Sequence, residues 1–157
     1  MLKTSVLVSG GGTNLQALID ASARGKMQHV ELSLVVSNRA DAFALERAKR
    51  AGIRGEYVEK AGFEERLNAL LDEEGIGLIV LAGFLRILSG DFTRRWAGRI
   101  INIHPSLIPS FCGAGYYGLR VHEAALARGV KVTGATVHFV NEIPDGGEII
   151  AQRAVEV

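Results

Sequence analysis

The chain has little of several features on which other classes of protein depend. It contains one cysteine, Cys112, so no internal disulfide can form and the fold does not depend on an oxidising compartment. Its 18 basic and 17 acidic side chains give a formal net charge of +1. The chain therefore lacks the excess of basic residues with which proteins neutralise a nucleic-acid backbone. No apolar run approaches the ~20 residues of a membrane-spanning helix. We therefore predict a cytoplasmic protein that binds neither nucleic acid nor membrane.

What the chain does contain is enough apolar sequence for one sizeable core. Hydrophobic residues make up 48% of the 157 residues and charged residues 22%, which excludes disorder as the main state. There is no repeat, low-complexity tract or linker. We interpret residues 1–157 as a single domain.

The first half of the chain alternates between short apolar runs and helical periodicity. The predicted strands are residues 4–9, 32–36, 56–58 and 78–82, and the predicted helices are 14–25, 42–51 and 63–74. Strands separated by helices cannot form hairpins, so they are expected to pair in parallel. The pattern predicts a doubly wound α/β fold with a mostly parallel sheet.

The second half ends differently. A fifth strand, a helix and two extended runs are predicted at residues 99–104, 121–127, 131–141 and 149–157. The two extended runs are separated by a strong turn signal, Glu142 to Gly147. This arrangement predicts a C-terminal antiparallel hairpin that closes the sheet.

Three glycines and two polar residues follow the first strand. Gly10, Gly11 and Gly12 leave their backbone N–H groups uncovered, and Thr13 and Asn14 begin a helix whose N-terminus favours an anion. The loop does not match the dinucleotide fingerprint, and it lacks the lysine of a P-loop. A phosphate monoester is the ligand that we expect, and a tight turn without a ligand is the alternative.

Asn102 and His104 lie two residues apart at the carboxyl end of the fifth strand. Residues at this spacing share one face of a strand, so the amide and the imidazole are aimed at the same point. Two such donors suit an oxyanion that develops when a nucleophile attacks a carbonyl group. The alternative is a hydrogen-bonded structural histidine.

Two further loops are candidates for the site. Asp145 sits in an Asp-Gly-Gly turn, where it serves either turn geometry alone or the orientation of His104. The segment from Ala82 to Leu88 places apolar side chains beside an arginine, which suits a flat heteroaromatic ligand or else a surface helix. The remaining histidines and Cys112 stand at no metal-ligand spacing, so we predict no metal.

Five motifs together resemble those of the phosphoribosylglycinamide formyltransferases, within the folate-dependent formyltransferase family. The resemblance spans essentially the whole chain, and one of its motifs is Asn-Ile-His-Pro-Ser-Leu-Ile-Pro, at positions 102–109. The others are residues 9–16, 82–88, 132–140 and 145–147. The resemblance implies a Rossmann-like formyltransferase fold and transfer of a formyl group from 10-formyltetrahydrofolate to the amine of 5-phosphoribosylglycinamide, in de novo purine biosynthesis, without a metal.

The resemblance also assigns roles to residues at matching positions. Asn102 would contact the formyl oxygen, His104 would donate a proton and stabilise the oxyanion, and Asp145 would support His104. The phosphate would be bound by Gly12, Thr13 and Asn14. The folate would be bound by Lys60, Leu85, Arg86, Ile87, Leu88, Asn102 and Val140. Lys60 matches by position only, and a plain surface lysine is its alternative.

The chain departs from the family pattern in three places. The loop from Cys112 to Leu119 is longer than in many members, and Glu148 stands where proline is frequent. The resemblance further implies that residues 1–157 lack the family's usual C-terminal extension. A formyltetrahydrofolate hydrolase and a noncatalytic nucleotide- or folate-binding module are the alternatives. We expect small-molecule substrates and a monomer or homodimer.

Overall fold

The computed structural model describes residues 1–157, which divide into two compact units, Met1–Arg86 and Ile87–Val157. The first unit alternates strands and helices, as predicted. Its strands are β1 (Leu2–Val8), β2 (Val30–Ser37), β3 (Arg54–Tyr57) and β4 (Leu78–Leu81), and its helices are α1 (Thr13–Ala23), α2 (Phe43–Arg50) and α3 (Phe63–Glu74).

The four strands of this unit pair in parallel, in the order β3, β2, β1, β4. β1 is central because its apolar run is suited to burial on both faces, and Val6, Leu7 and Val8 are fully buried. The chain builds outward from β1 to β3 and then returns to the other side of β1. This return creates a switch point between β1 and β4, where open α/β sheets bind ligands.

Helix α3 shows how the predicted periodicity becomes packing. Phe63, Leu67, Leu70 and Leu71 are spaced so that they share one face of the helix, and all four are buried. Gly75 then adopts a left-handed φ of 67°, which ends the helix at low steric cost. The predicted bounds of this helix are confirmed.

The second unit contains the predicted antiparallel hairpin. Its elements are α4 (Gly90–Arg95), β5 (Ile100–His104), α5 (Leu119–Arg128), β6 (Val132–Phe139) and β7 (Ile149–Glu156). β6 pairs antiparallel with both β5 and β7. Helix α4 was not predicted, because six residues are too few to show an apolar period. It begins after Ser89, whose Oγ accepts a hydrogen bond from the Phe92 N–H at 3.1 Å.

The buried face of β6 is polar rather than apolar. Thr136 and His138 are almost completely buried, whereas Val137 and Phe139 are half-buried. Thr136 Oγ1 donates to the Ser106 carbonyl at 2.7 Å, as a buried hydroxyl requires. The strand therefore places hydrogen-bonding side chains beside β5.

These elements confirm the predicted α/β class, with parallel strands in the first unit and an antiparallel hairpin at the C-terminal end of the second. None of the helices combines the length and the apolar character needed to cross a bilayer.

Candidate active site

Asn102, His104 and Asp145 lie in one cluster, which His138 completes. His104 Nδ1 is 3.6 Å from Asp145 Oδ1, and His138 Nε2 is 3.7 Å from the same oxygen. Asn102 Nδ2 is 3.2 Å from His138 Nε2. We call these four side chains the Asn–His–Asp cluster. The structure thus brings together the three residues predicted from sequence, although their roles stay predictions.

The register of two strands explains this convergence. Asn102 and His104 share one face of β5 because they are two residues apart. β6 runs antiparallel beside β5, with His138 directly opposite Asn102 and Thr136 opposite His104. Residues opposite each other project to the same side of a sheet, so His138 joins the pair that the sequence pattern indicated.

His104 is buried, and both of its ring nitrogens face a partner. Its Nε2 is 2.8 Å from the Phe111 carbonyl oxygen, which can only accept a hydrogen bond. Nε2 therefore carries a hydrogen as the donor of this bond. Nδ1 is the ring nitrogen that faces the Asp145 carboxylate.

His138 fixes the orientation of the Asn102 amide. Its Nδ1 is 2.8 Å from the Phe139 carbonyl oxygen and donates to it. In the neutral ring, Nε2 is then unprotonated and accepts from Asn102 Nδ2. One N–H of the Asn102 amide is consequently committed to His138, and the other is available as a donor.

Asp145 joins the loop after β6 to the loop after β5. Its Oδ2 accepts a hydrogen bond from the Gly113 N–H at 2.8 Å, and its backbone adopts a φ of 55°. The left-handed region is unusual for a non-glycine residue but is accessible to aspartate. Burial, together with the negative charge of Asp145, raises the pKa of the Cys112 thiol. Asp145 therefore organises its surroundings as well as facing His104.

The glycines that follow Asp145 have a packing role. A Cβ on Gly147 would overlap the Phe139 carbonyl, so the backbone could not pass there with any other residue. The Asp-Gly-Gly signal accordingly combines turn chemistry with a charged group that faces two histidines.

In the first unit, the loop from Gly10 to Asn14, here called the glycine loop, packs against helix α2. Gly12 adopts a left-handed φ of 77° immediately before α1 begins. A Cβ there would lie 2.7 Å from the Ala44 Cβ, so only glycine fits. The Gly10 carbonyl accepts from the Ala44 N–H at 3.1 Å. The loop is thereby fixed at the N-terminus of α1, as an anion site requires.

Ser9 connects three loops at the carboxyl edge of the parallel strands. Its Oγ donates to Asn38 Oδ1 at 2.7 Å, in the loop after β2. The same oxygen accepts from the Leu85 N–H at 2.8 Å, after β4. The glycine loop and the segment predicted to bind a heteroaromatic ligand therefore adjoin at the switch point of the sheet.

The whole chain is similar to one family of enzymes. The family model for formyl transferases matches residues 2–157. The chain belongs to the formyl transferase family.

Several named relatives and solved structures are similar to this family member. A phosphoribosylglycinamide formyltransferase from Haemophilus influenzae is 42% identical over 100% of the chain, which spans 74% of that protein. A trifunctional purine biosynthetic protein adenosine-3 from Gallus gallus is 48% identical over 99% of the chain, which spans 16% of that protein. The crystal structure of glycinamide ribonucleotide transformylase 1 from Symbiobacterium toebii has a TM-score of 0.91 and 42% identity, covering 100% of this chain and 74% of that one. This similarity confirms the predicted formyltransferase fold.

The residues expected to bind folate differ in their exposure in this formyl transferase chain. Leu85 is 55% exposed and Ile87 is 80% exposed, so both apolar side chains are available to a ligand. Leu88 is buried and belongs to the core. Arg86 lies with its guanidinium carbon 4.5 Å from the Phe63 ring centroid. These positions stay predictions for folate binding.

Lys60 and Val140 are two other residues expected to bind folate. Lys60 is exposed in the segment before α3, as the surface-lysine alternative also expects. Val140 is half-buried, and its N–H donates to the Ile100 carbonyl at 2.9 Å. The Val140 contact fixes the chain where it leaves β6.

Sequence reasoning missed His138 and Arg47. His138 stands at no metal-ligand spacing and lies within the motif at 132–140, and the signal for its position is that it is two residues from Thr136 on a predicted strand, so that both side chains share one face. Arg47 lies on α2, and its Nε donates to the Gly11 carbonyl at 2.7 Å. No local pattern indicates that contact, because it joins residues 36 apart in the sequence.

Proposed function

We propose that this chain transfers a formyl group from 10-formyltetrahydrofolate to the amine of 5-phosphoribosylglycinamide. The observation that carries the proposal is the Asn–His–Asp cluster, which joins an amide donor, an imidazole and a carboxylate within hydrogen-bonding and ion-pairing distances. The match to the formyl transferase family and the names of the relatives support the same reaction.

The folate co-substrate supplies an activated formyl group when it is bound. The residues present fit this group, because a formyl carbonyl needs hydrogen-bond donors while charge accumulates on its oxygen. The free N–H of Asn102 is one such donor. Leu85 and Ile87 offer exposed apolar surface for a flat ring system.

His104 and Asp145 would handle the protons of the reaction. The attacking amine loses a proton and the leaving nitrogen gains one, so a group that both accepts and donates is needed. Nδ1 of His104 would be the nitrogen that exchanges protons, and the Asp145 carboxylate lies 3.6 Å from it. A positioned general acid–base group typically contributes about 10²–10⁴ to the rate.

The glycine loop would bind the phosphate of the nucleotide. Backbone N–H groups and the dipole at the N-terminus of α1 both favour a phosphate monoester. Gly12, Thr13 and Asn14 are the residues at that terminus. In this proposal residues 1–157 act as a single formyltransferase domain, and a cytoplasmic location stays a prediction.

Turnover of the two substrates tests the proposal directly. The purified chain is mixed with 10-formyltetrahydrofolate, with and without 5-phosphoribosylglycinamide, and the pterin absorbance is followed. We expect release of tetrahydrofolate only when the nucleotide is present, and its loss in His104→Ala. Release without the nucleotide would favour a hydrolase, and thermal protection by the nucleotide without any release would favour a binding module.

A further inference from the structure

Arg47 holds a guanidinium against the glycine loop. Its Nε donates to the Gly11 carbonyl at 2.7 Å, and its Nη1 donates to Gln16 Oε1, on α1, at 3.2 Å. The guanidinium also lies over the Phe43 ring, 5.0 Å from its centroid. These contacts fix a positive charge beside the first turn of α1 and leave further N–H groups of the guanidinium uncommitted.

Helix α2 determines which way the loop donors point. The Gly10 carbonyl is bound by the Ala44 N–H, and the Gly11 carbonyl is bound by Arg47. In a trans peptide the C=O and the following N–H point in opposite directions. The N–H groups of Gly11 and Gly12 are therefore directed away from α2, where an anion can receive them.

We propose that Arg47 is a positioning residue for the phosphate of the substrate. It acts by orienting the peptide after Gly11, and its charge adds to the field at the N-terminus of α1. This inference rests on the proposed function, since it takes the phosphate to be that of 5-phosphoribosylglycinamide. It goes beyond the backbone site by making binding depend on a side chain of α2.

Arg50 offers a matched control on the same helix. It also carries a guanidinium over the Phe43 ring, at 5.4 Å, and it pairs with Glu46 at 3.2 Å. Arg50 makes no hydrogen bond to the glycine loop. Arg47→Gln and Arg50→Gln thus remove the same charge from one helix, and only the first removes the bond to Gly11.

The decisive measurement is the preference for a phosphorylated ligand. KM is determined for 5-phosphoribosylglycinamide and for the same compound without its phosphate, and thermal protection by ribose 5-phosphate gives a readout that needs no turnover. Loss of a charge-assisted hydrogen bond should raise KM for the phosphorylated substrate at least about tenfold in Arg47→Gln. KM for the compound without phosphate should be unchanged, as should both values in Arg50→Gln.

Arg47→Lys provides a second variant if Arg47→Gln fails to fold. Lysine retains the charge but offers one nitrogen in place of the Nε and Nη1 pair, so an intermediate loss is expected. The role of Arg47 would be overturned if Arg47→Gln, or Arg47→Lys in its place, preferred the phosphorylated ligands as strongly as Arg50→Gln does. If the wild-type chain itself shows no preference for the phosphorylated ligands, the phosphate site of the proposed function fails, and the role of Arg47 fails with it. Turnover with a strong preference in the wild type and the same preference in the Arg47 variants would overturn the role of Arg47 alone.

Discussion

Asn102 and His138 face each other across the β5–β6 ladder, with Asn102 Nδ2 3.2 Å from His138 Nε2. The pairing determines the chemistry because His138 Nδ1 is already committed to the Phe139 carbonyl. In the neutral ring the remaining nitrogen accepts, so the amide presents its NH2 group rather than its oxygen to the histidine. In the proposed reaction, the donor for the formyl oxygen is thus oriented before any substrate arrives.

Replacement of His138 should lower turnover through Asn102. His138→Phe leaves the amide without its acceptor and free to rotate, so we expect kcat to fall about tenfold, in keeping with the loss of one hydrogen bond. His138→Gln can place an oxygen near the former Nε2 and should recover part of the loss. The measurement is formyl transfer at saturating substrate, with melting temperatures recorded alongside.

An Asn102→Ala variant tests whether His138 affects kcat through Asn102. In an Asn102→Ala background, His138→Phe should have little further effect on kcat, because the two residues act as one unit. Independent, additive losses from the two changes would contradict a positioning role for His138.

The charge of Asp145 should matter more to turnover than to folding. Asn tolerates the left-handed φ of 55° and can still accept from the Gly113 N–H, so Asp145→Asn should keep most of the stability. It removes the negative charge that faces His104, and we expect kcat to fall about 10²-fold. Asp145→Ala should lose stability as well, because the Gly113 bond disappears. Equal turnover in wild type and Asp145→Asn would show that the residue serves the turn alone.

Much of the fold could be predicted because its signals are local. The spacing of four apolar residues predicts helix α3, and the apolar run of Val6, Leu7 and Val8 predicts β1. The Asn102 and His104 pair could also be predicted, since residues two apart on a strand share a face. His138 could not, because its approach depends on the register between two strands. The contact between Arg47 and Gly11 depends in the same way on how α2 packs against the loop.

Alkylation of Cys112 should report the charge of Asp145 through its pH dependence. Burial raises the pKa of this thiol, and the nearby carboxylate raises it further. A raised pKa leaves less thiolate at a given pH, so iodoacetamide should react more slowly than with an exposed cysteine peptide and should accelerate as pH increases above the ordinary thiol range. Asp145→Asn should lower the pKa and shift the rate profile toward lower pH. An unchanged profile in that variant would contradict the electrostatic contribution.

Substitution of Gly12 should destabilise the first unit where the glycine loop packs against α2. An added Cβ would lie 2.7 Å from the Ala44 Cβ and 2.9 Å from its Cα, and the φ of 77° disfavours any L side chain. We therefore expect Gly12→Ala to lower the free energy of unfolding by roughly 2–3 kcal/mol and to weaken phosphate binding. Gly11→Ala is the matched control, because nothing lies within 4 Å of its added Cβ.

Urea denaturation of Gly12→Ala and Gly11→Ala compares their free energies of unfolding directly. The Gly11→Ala change should alter the free energy of unfolding by no more than about 1 kcal/mol in either direction. Two variants of equal stability would mean that the close packing of the glycine loop on α2 does not determine its conformation. Since the same packing directs the Gly11 and Gly12 N–H groups, that result would also remove the structural basis for a preformed phosphate site.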